Sequence, residues 1–252
     1  MSSFKSKLKR TEHLTMHMCT IPSAAITQAI AAAGADAVFV DLEHGAVDYE
    51  SAHAMIAATA GTDCAPFVRI AENTPALTKR ALDLGAEGIV FPLIRTAKDA
   101  ASAVANLRYP PHGTRGFGPF IAQARWQTGL LDYRTQIEPQ LCCVLLVETA
   151  DAVQNIDAIC EVDGIDLLVP APFDLSTDLG ISGQFDHPDF IAAVSKIEAA
   201  AQKAQIPLGG IGLTQTQAKA LYARGYRVTA GVDILWLQQI TAEAQAWAKD
   251  PI

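Results

Sequence analysis

Short apolar runs alternate along the chain with longer Ala-rich segments in which apolar residues recur at helical spacing. The short runs predict eight strands, at about residues 13–19, 37–42, 65–70, 88–94, 141–148, 165–169, 207–211 and 227–231. The longer segments predict eight helices, at about residues 23–34, 49–60, 74–84, 96–107, 150–161, 188–204, 214–224 and 233–249. Several of these helices have a capping residue at their start, such as Ser23 or Thr96, and a glycine at their end, such as Gly34 or Gly85.

Eight units of one strand and one helix indicate a (β/α)8 barrel, also called a TIM barrel, as a single domain over residues 1–252. The rival arrangement is a doubly wound open sheet, but the units are nearly equal and no large second domain remains. Two connections are long. Residues 108–140 form an insert rich in Gly, Pro, Arg and aromatic residues, which is typical of a lid or a binding loop, and residues 170–187 form a second long loop.

Composition and charge exclude several classes of partner. Half of the residues are apolar, and the net charge of −8 argues against a nucleic-acid or anionic-membrane partner. The basic start of the chain is not followed by an apolar signal segment, and no run approaches the roughly 20 apolar residues of a membrane span. The five cysteines are odd in number and include no CxxC pair, which is typical of buried thiols in a reducing compartment. We therefore expect a cytoplasmic protein.

Polar side chains follow several predicted strands at the point where each strand ends. TIM-barrel enzymes place their active sites at this rim, so residues from different strands meet there. The candidates are Asp41, Glu43 and His44 after the second strand, Arg69 at the end of the third, Glu148 at the end of the fifth and Asp174 after the sixth.

Each candidate has a functional and a structural interpretation. Glu148 and Asp174 suit a hard divalent ion such as Mg²⁺ or Mn²⁺, or they cap the helices that follow. His44 has the chemistry of a general base at neutral pH, or it is a loop histidine bonded to backbone. Arg69 recognises an oxyanion or a carboxylate, or it forms an ion pair with Asp41 or Glu43.

Six motifs together resemble the HpcH/HpaI family of metal-dependent class II pyruvate aldolases, which includes the dihydroxyheptenedioate aldolases. The resemblance runs from about residue 4 to 245 and rests on "VDLEHG", "VRI", "ALDLGAEGIVFPLI", "RYPPHGTRGFG", "VET" and "PFDLS…LG". It implies a TIM barrel of the phosphoenolpyruvate/pyruvate-domain type. It also implies a homohexamer, a trimer of dimers, in which the last helix is exchanged between subunits. The apolar positions Leu237, Ile240, Ala244 and Trp247 would give that helix a docking face.

The resemblance also assigns roles to residues. A divalent ion (Mg²⁺, Mn²⁺ or Co²⁺) would be held by Glu148 and Asp174. His44 matches the catalytic base, and Asp83 matches the aspartate that strengthens it. Arg69 matches the arginine that stabilises the negative oxygen of the substrate. The implied reaction is a reversible aldol addition between the enolate of a 2-oxo acid, of the pyruvate or hydroxypyruvate type, and an aldehyde.

Substrate contacts are expected at Ala171, Pro172 and Phe173, because backbone N–H groups around this segment would hold the substrate carboxylate, and at Leu146. Here the chain departs from the family, which commonly has Gln at the position of Leu146 and a small residue at that of Phe173. These departures favour retained chemistry on a different 2-oxo acid or aldehyde.

Three alternatives to the aldolase remain open. The same site can decarboxylate an oxaloacetate-like acid, which passes through the same kind of enolate. An acyl-CoA lyase would need a nucleotide-binding surface, and no segment is basic enough to suggest one. A non-catalytic metabolite-binding barrel predicts that some catalytic residues are missing. All five are present: His44, Arg69, Asp83, Glu148 and Asp174.

Overall fold

The computed structural model describes residues 3–10, 13–247 and 249, and its centre is a barrel of eight parallel strands. Neighbouring strands pair in the order β6-β5-β4-β3-β2-β1-β8-β7, and a parallel bridge between Leu168 and Leu208 joins the two ends of the sheet. The predicted TIM barrel is therefore confirmed. The strands are β1 (Leu14–Cys19), β2 (Ala37–Asp41), β3 (Ala65–Arg69), β4 (Gly88–Phe91), β5 (Cys142–Val147), β6 (Leu167–Pro170), β7 (Gly209–Ile211) and β8 (Val228–Ala230).

Helices surround the barrel. They are α1 (Phe4–Lys9), α2 (Ala24–Ala32), α3 (Tyr49–Ala57), α4 (Pro75–Asp83), α5 (Ala97–Leu107), α6 (Ala122–Arg125), α7 (Tyr133–Ile137), α8 (Ala150–Gln154), α9 (Ile156–Cys160), α10 (Pro172–Asp178), α11 (Pro188–Lys203), α12 (Gln215–Ala223) and α13 (Asp233–Trp247), with a 3₁₀ turn at Glu138–Gln140. The helix predicted over 150–161 is two short helices that meet at Asn155. The loop predicted over 170–187 contains α10. Among the described helices, none has the length and apolar character needed to cross a membrane.

The alternation of side chains along each strand separates two apolar cores. On β5, Cys143, Leu145 and Val147 face the surrounding helices, whereas Cys142, Val144 and Leu146 face the barrel interior. The same alternation puts Glu148, the residue after the strand, on the interior side at the rim. The rim of the barrel thus receives the polar residues that follow the strands.

The first helix, which the apolar pattern did not predict, closes the amino-terminal end of the barrel. Phe4 and Leu8 lie one helical turn apart and belong to the interior core. The Phe4 ring packs edge-on against Phe67 of β3 at 5.1 Å between centroids. The Phe4 N–H donates to the buried carboxylate of Glu87 at 2.6 Å.

The insert between α5 and β5 folds against α4 around a buried arginine. The Arg115 guanidinium lies 4.7 Å from the Tyr109 ring centroid and 5.3 Å from that of Tyr133, and it donates to Asp83 at 2.8 Å. Because a buried cation needs a nearby anion, the Arg115–Asp83 pair fixes where the insert meets the barrel.

Asp233, the first residue of α13, ties that helix to the end of β1. Its buried carboxylate accepts from the N–H groups of Thr20, Ile21 and Ile234 and from the Thr20 hydroxyl, at 2.7 to 3.1 Å.

We expect Asp233→Ala to lower the free energy of unfolding by about 3 kcal/mol, since four donors lose their acceptor. Asp233→Asn keeps one acceptor oxygen and should lose about half as much in urea unfolding. Equal stability of the alanine variant and the parent would contradict this assignment.

Candidate active site

The strand ends converge on a cavity of about 380 Å³ that opens at the rim and continues into the barrel. Its mouth is lined by Thr20, His44, Arg69 and Asp174, and its deeper wall by apolar residues of the barrel interior. Six of the predicted site residues therefore line one space, although they come from four strands or the segments that follow them: His44, Arg69, Leu146, Ala171, Phe173 and Asp174.

Arg69 is fixed by a two-point ion pair with Asp41, its partner in the register of β2 and β3. Arg69 Nε and Nη2 donate to the two Asp41 carboxylate oxygens at 2.8 and 2.7 Å. Asp41 also accepts from the N–H groups of Glu43 and His44 at 3.1 and 3.2 Å. Burial opposes ionisation of Asp41, but the Arg69 hydrogen bonds and charge outweigh it and hold the Asp41 pKa below its ordinary value. Asp41 therefore stays charged and positions both Arg69 and the loop that carries His44.

Glu43 lies between Arg69 and His44. Its Oε2 is 3.2 Å from Arg69 Nη1 and 3.9 Å from His44 Nε2, but among the described residues this buried oxygen has no hydrogen-bond partner. Burial raises the pKa of Glu43, and the nearby charges of Asp41 and Asp174 add to the effect against the pull of Arg69. The His44 side chain is 65% exposed, so it stands at the mouth of the cavity beside a carboxylate.

Glu148 is a buried carboxylate at the rim, with 5% of the residue exposed. Burial raises its pKa to about 7, and the charges of Asp174 and Glu43 contribute further. One of its oxygens accepts the N–H of Leu93, a non-glycine residue in the left-handed region at φ +55°. Glu148 does not cap the following helix, because the Thr149 hydroxyl accepts the N–H of Ala152 and performs that role.

Asp174 lies in the first turn of α10 and faces the mouth of the cavity. The N-cap position of this helix is Ala171, so Asp174 is not the capping residue either. Neither carboxylate is therefore a helix cap: Asp174 lines the cavity, and Glu148 is buried near it.

Near the mouth of the cavity, carboxylates outnumber the basic side chains. Among the described residues, Arg69 is the one arginine or lysine that lines the cavity, and it already pairs with Asp41. After burial, the charge of Asp174 helps to raise the pKa of both Glu43 and Glu148, and the charge of Glu43 also acts on Glu148, so these three carboxylates lie near one another. An oxygen-rich site with excess negative charge fits a hard divalent cation.

The donor set also fits an open metal site rather than a closed one. Within the described residues, no group of three or more His, Cys, Asp or Glu side chains is arranged to enclose a metal ion. Glu148 and Asp174 could supply two oxygen ligands to such an ion, which would leave the remaining coordination positions for water and substrate, as Mg²⁺ prefers.

Asp83 lies in a different environment from His44 within this chain. It is the last residue of α4 and accepts from Arg115 at 2.8 Å. Burial raises the pKa of Asp83, against the opposing effects of Arg115 and Lys79. The structure thus joins Asp83 to the insert, and its predicted role in strengthening His44 stays a prediction.

The segment expected to hold a substrate carboxylate offers fewer donors than predicted. The Ala171 N–H donates to the Val147 carbonyl at 3.0 Å, and Pro172 has no N–H. Of the three predicted residues, Phe173 is the one that can offer a backbone N–H to a ligand. Its ring is 48% exposed and packs edge-on against Phe185 at 5.6 Å between centroids.

Several residues of the site were missed by sequence reasoning. Met18 and Thr20 at the end of β1, and Ile234 and Leu235 at the start of α13, line the cavity. The position of Thr20 directly after β1 was a usable signal, because the same rule found the other rim residues. The left-handed conformation of Leu93 had no signal, since leucine rarely adopts it.

Comparison with known proteins finds relatives over most of the chain. The family model described as HpcH/HpaI aldolase/citrate lyase matches residues 16–236. A 2-dehydro-3,6-dideoxy-6-sulfogluconate aldolase of Pseudomonas putida is 35% identical over 208 residues, 82% of this chain and 81% of that protein. A hydroxypyruvate/pyruvate aldolase of Chromohalobacter salexigens is 34% identical over 215 residues, 85% of each chain. A crystal structure of a family protein from Burkholderia cenocepacia superimposes with a TM-score of 0.92 at 30% identity, covering 99% of this chain and 100% of that one.

Proposed function

The chain belongs to the HpcH/HpaI aldolase/citrate lyase family, and on that premise we propose that it is a class II aldolase, a carbon–carbon lyase acting on 2-oxo acids. The observation that carries the proposal is a cavity lined by His44, Arg69 and Asp174, with the buried carboxylate of Glu148 near enough for the charges of Asp174 and Arg69 to act on its pKa. The reaction is a reversible aldol addition between the enolate of a 2-oxo acid, of the pyruvate or hydroxypyruvate type, and an aldehyde. The relatives named as aldolases support this class of substrate.

In this proposal Glu148 and Asp174 hold a divalent ion, Mg²⁺, Mn²⁺ or Co²⁺. The bound ion supplies Lewis-acid polarisation of the substrate carbonyl. The Leu93 N–H orients the Glu148 carboxylate by a hydrogen bond to one oxygen, as second partners of ligating groups commonly do. Burial of Glu148 and the nearby charge of Asp174 make the pair a strong site for a cation, since each carboxylate is stabilised when a positive charge joins it.

Arg69 and His44 act on the substrate itself. The two-point pair with Asp41 holds the Arg69 guanidinium at the cavity, where it stabilises the oxygen that becomes negative. His44 Nε2 takes the proton from carbon 3 of the 2-oxo acid, directly or through one water. Carbon 3 then bonds to the aldehyde carbon, and the aldehyde oxygen receives the proton that His44 had taken, directly or through the same water. The Phe173 N–H is the backbone donor for the substrate carboxylate.

Decarboxylation of an oxaloacetate-like acid is the second candidate, as a side activity of the same residues. Loss of carbon dioxide from such an acid also leaves an enolate beside Arg69. A binding-only barrel predicts a broken catalytic set, but His44, Arg69, Asp83, Glu148 and Asp174 are all present.

Proton exchange at the pyruvate methyl group in D₂O tests the proposal without an aldehyde. We expect exchange that requires Mn²⁺ or Mg²⁺, stops with chelator and falls about 10²-fold in His44→Ala, since a general base contributes about that much or more. His53→Ala, on the outer helix α3, is the matched control. Absence of exchange with every ion, for pyruvate, hydroxypyruvate and oxaloacetate alike, would move the binding-only barrel to the front.

We extend the proposal to a homohexamer in which α13 packs on a neighbouring subunit. Leu237, Ile240 and Trp247 of this helix are each at least half exposed in the single chain. Apolar side chains of this size at one helix are typical of a subunit contact. Light scattering that gives a monomer at micromolar concentration would contradict the assembly.

A further inference from the structure

The part of the cavity below the carboxylates is apolar. On β5, Val144 and Leu146 point to the same side as Glu148 and so lie directly beneath it along the strand. Leu146 pairs in register with Val169 of β6, which also lines the cavity. A molecule held at Glu148 and Asp174 therefore has an apolar space next to it, toward the barrel axis.

This space exists because β7 has a glycine, Gly209, at an interior-facing position, and the next residue on that face is Ile211. Interiors of TIM barrels are normally filled by branched side chains from all strands. At Gly209 of β7, an added Cβ would lie 3.1 Å from Val169 Cγ2 and 3.4 Å from Leu167 Cδ2, so this glycine faces the interior beside those residues. The missing side chain leaves the walls of the cavity without partner atoms, which a ligand can replace.

The apolar surface continues to the mouth. Phe173, Ile234 and Leu235 line the cavity and are exposed in the single chain. The polar lining residues, Thr20, His44, Arg69 and Asp174, all belong to the rim. A charged group that reached the interior would find no partner among the described lining residues, and such a group is costly to bury alone.

We propose that this interior pocket binds an uncharged apolar substituent of the substrate, so that the enzyme prefers aliphatic or aromatic substrates to those with a second charged group. The inference rests on the proposed aldolase function and specifies its substrate class. The substituent belongs either to the aldehyde or to carbon 3 of the 2-oxo acid, and the two sources share the same chemistry.

Two substrate series test the proposal and separate these sources. In the first, pyruvate is combined with acetaldehyde, butanal, hexanal, benzaldehyde, glyoxylate or succinate semialdehyde. In the second, acetaldehyde is combined with pyruvate, 2-oxobutanoate or 2-oxohexanoate. We expect kcat/KM to rise about threefold per added methylene in one of the two series, as buried methylenes do. A flat response in both series, or a preference for the charged aldehydes, would overturn the pocket assignment.

Matched variants locate the preference in the pocket. Leu146→Gln should reduce the ratio of kcat/KM for hexanal to that for acetaldehyde, or the matching donor ratio, about tenfold, because a similar volume becomes polar. Leu146→Met keeps an apolar chain and should preserve the ratio within about twofold. Val169→Phe fills the same space and should also lower this ratio of kcat/KM values. Ratios unchanged in both the Gln and the Phe variants would refute the proposal.

Proton exchange separates a wrong pocket assignment from a wrong aldolase assignment. Methyl-proton exchange of pyruvate by the parent enzyme needs neither an aldehyde nor an apolar substituent. Exchange without an apolar preference would refute the pocket and leave the aldolase in place. Absence of exchange with every 2-oxo acid would refute both.

Discussion

Glu148→Gln should abolish aldol activity while leaving the fold intact. The amide retains the shape of Glu148 and an oxygen that accepts the Leu93 N–H, but it lacks the charge that attracts a cation. We expect kcat/KM to fall about 10³- to 10⁴-fold, since Lewis-acid polarisation is worth several kcal/mol. Calorimetric titration with Mn²⁺ should show weakened binding in the same variant. Glu161→Gln, an exposed change in the same strand–helix unit, is the matched control.

The same substitution should stabilise the metal-free protein at high pH. The pKa of Glu148 is about 7 in the folded chain against an ordinary value of 4.5. As the pH rises from about 4.5 through about 7, the unfolded chain loses this proton first, so the free energy of unfolding falls. With chelator at pH 8, Glu148→Gln should therefore be more stable than the parent by about 2 kcal/mol. At pH 4, where the parent carboxyl is protonated, the two should unfold alike.

Two results would contradict this role of Glu148. Full aldol activity of the Gln variant would exclude Glu148 from the metal site. If the metal-free parent lost no stability relative to the variant between pH 4 and pH 8, burial would not raise the pKa of Glu148 in the folded chain. Added Mn²⁺ should reverse the order of stability at pH 8, because it binds the folded parent more tightly than the folded variant.

The barrel and its rim were predictable from the sequence because both follow from one repeating pattern. Strands buried on both faces appear as continuous apolar runs, and the residue after such a run lies at the rim. That rule alone placed Arg69, Glu148 and Asp174 at one end of the barrel. Recognition of the motifs then supplied the roles of the residues, which no periodicity could give.

Other features left no pattern to find. Helix α1 has two apolar residues in six, which is too few for a periodic signal, and α10 is seven residues long inside a loop. The Arg115–Asp83 pair joins segments 32 residues apart and depends on how the insert folds back. The interior pocket depends on Gly209, where the informative fact is the lack of a side chain. In each case the structure depends on packing between residues that are distant in the sequence.

Arg69→Met should damage both stability and catalysis, and the two losses can be separated. Removal of the guanidinium leaves the fully buried Asp41 without its cation, so we expect the free energy of unfolding to fall by about 3–5 kcal/mol. Loss of the donor to the developing oxyanion should lower kcat/KM by about 10³-fold. Measured alone, this variant cannot tell a catalytic arginine from one that merely keeps Asp41 in place.

The double variant Asp41→Asn/Arg69→Met makes that distinction. It removes both charges together, and the amide oxygen of the new asparagine would still accept the N–H groups of Glu43 and His44, so most of the lost stability should return. Catalysis should not return, because no guanidinium faces the substrate oxygen that becomes negative. Arg69→Lys should have a stability and a kcat/KM between those of the parent and those of Arg69→Met, since lysine keeps the charge but not the two-point geometry. If urea unfolding and kcat/KM recovered together in the double variant, Arg69 would be a structural partner of Asp41. Recovery of stability alone would establish that Arg69 is held by Asp41 in order to act on the substrate.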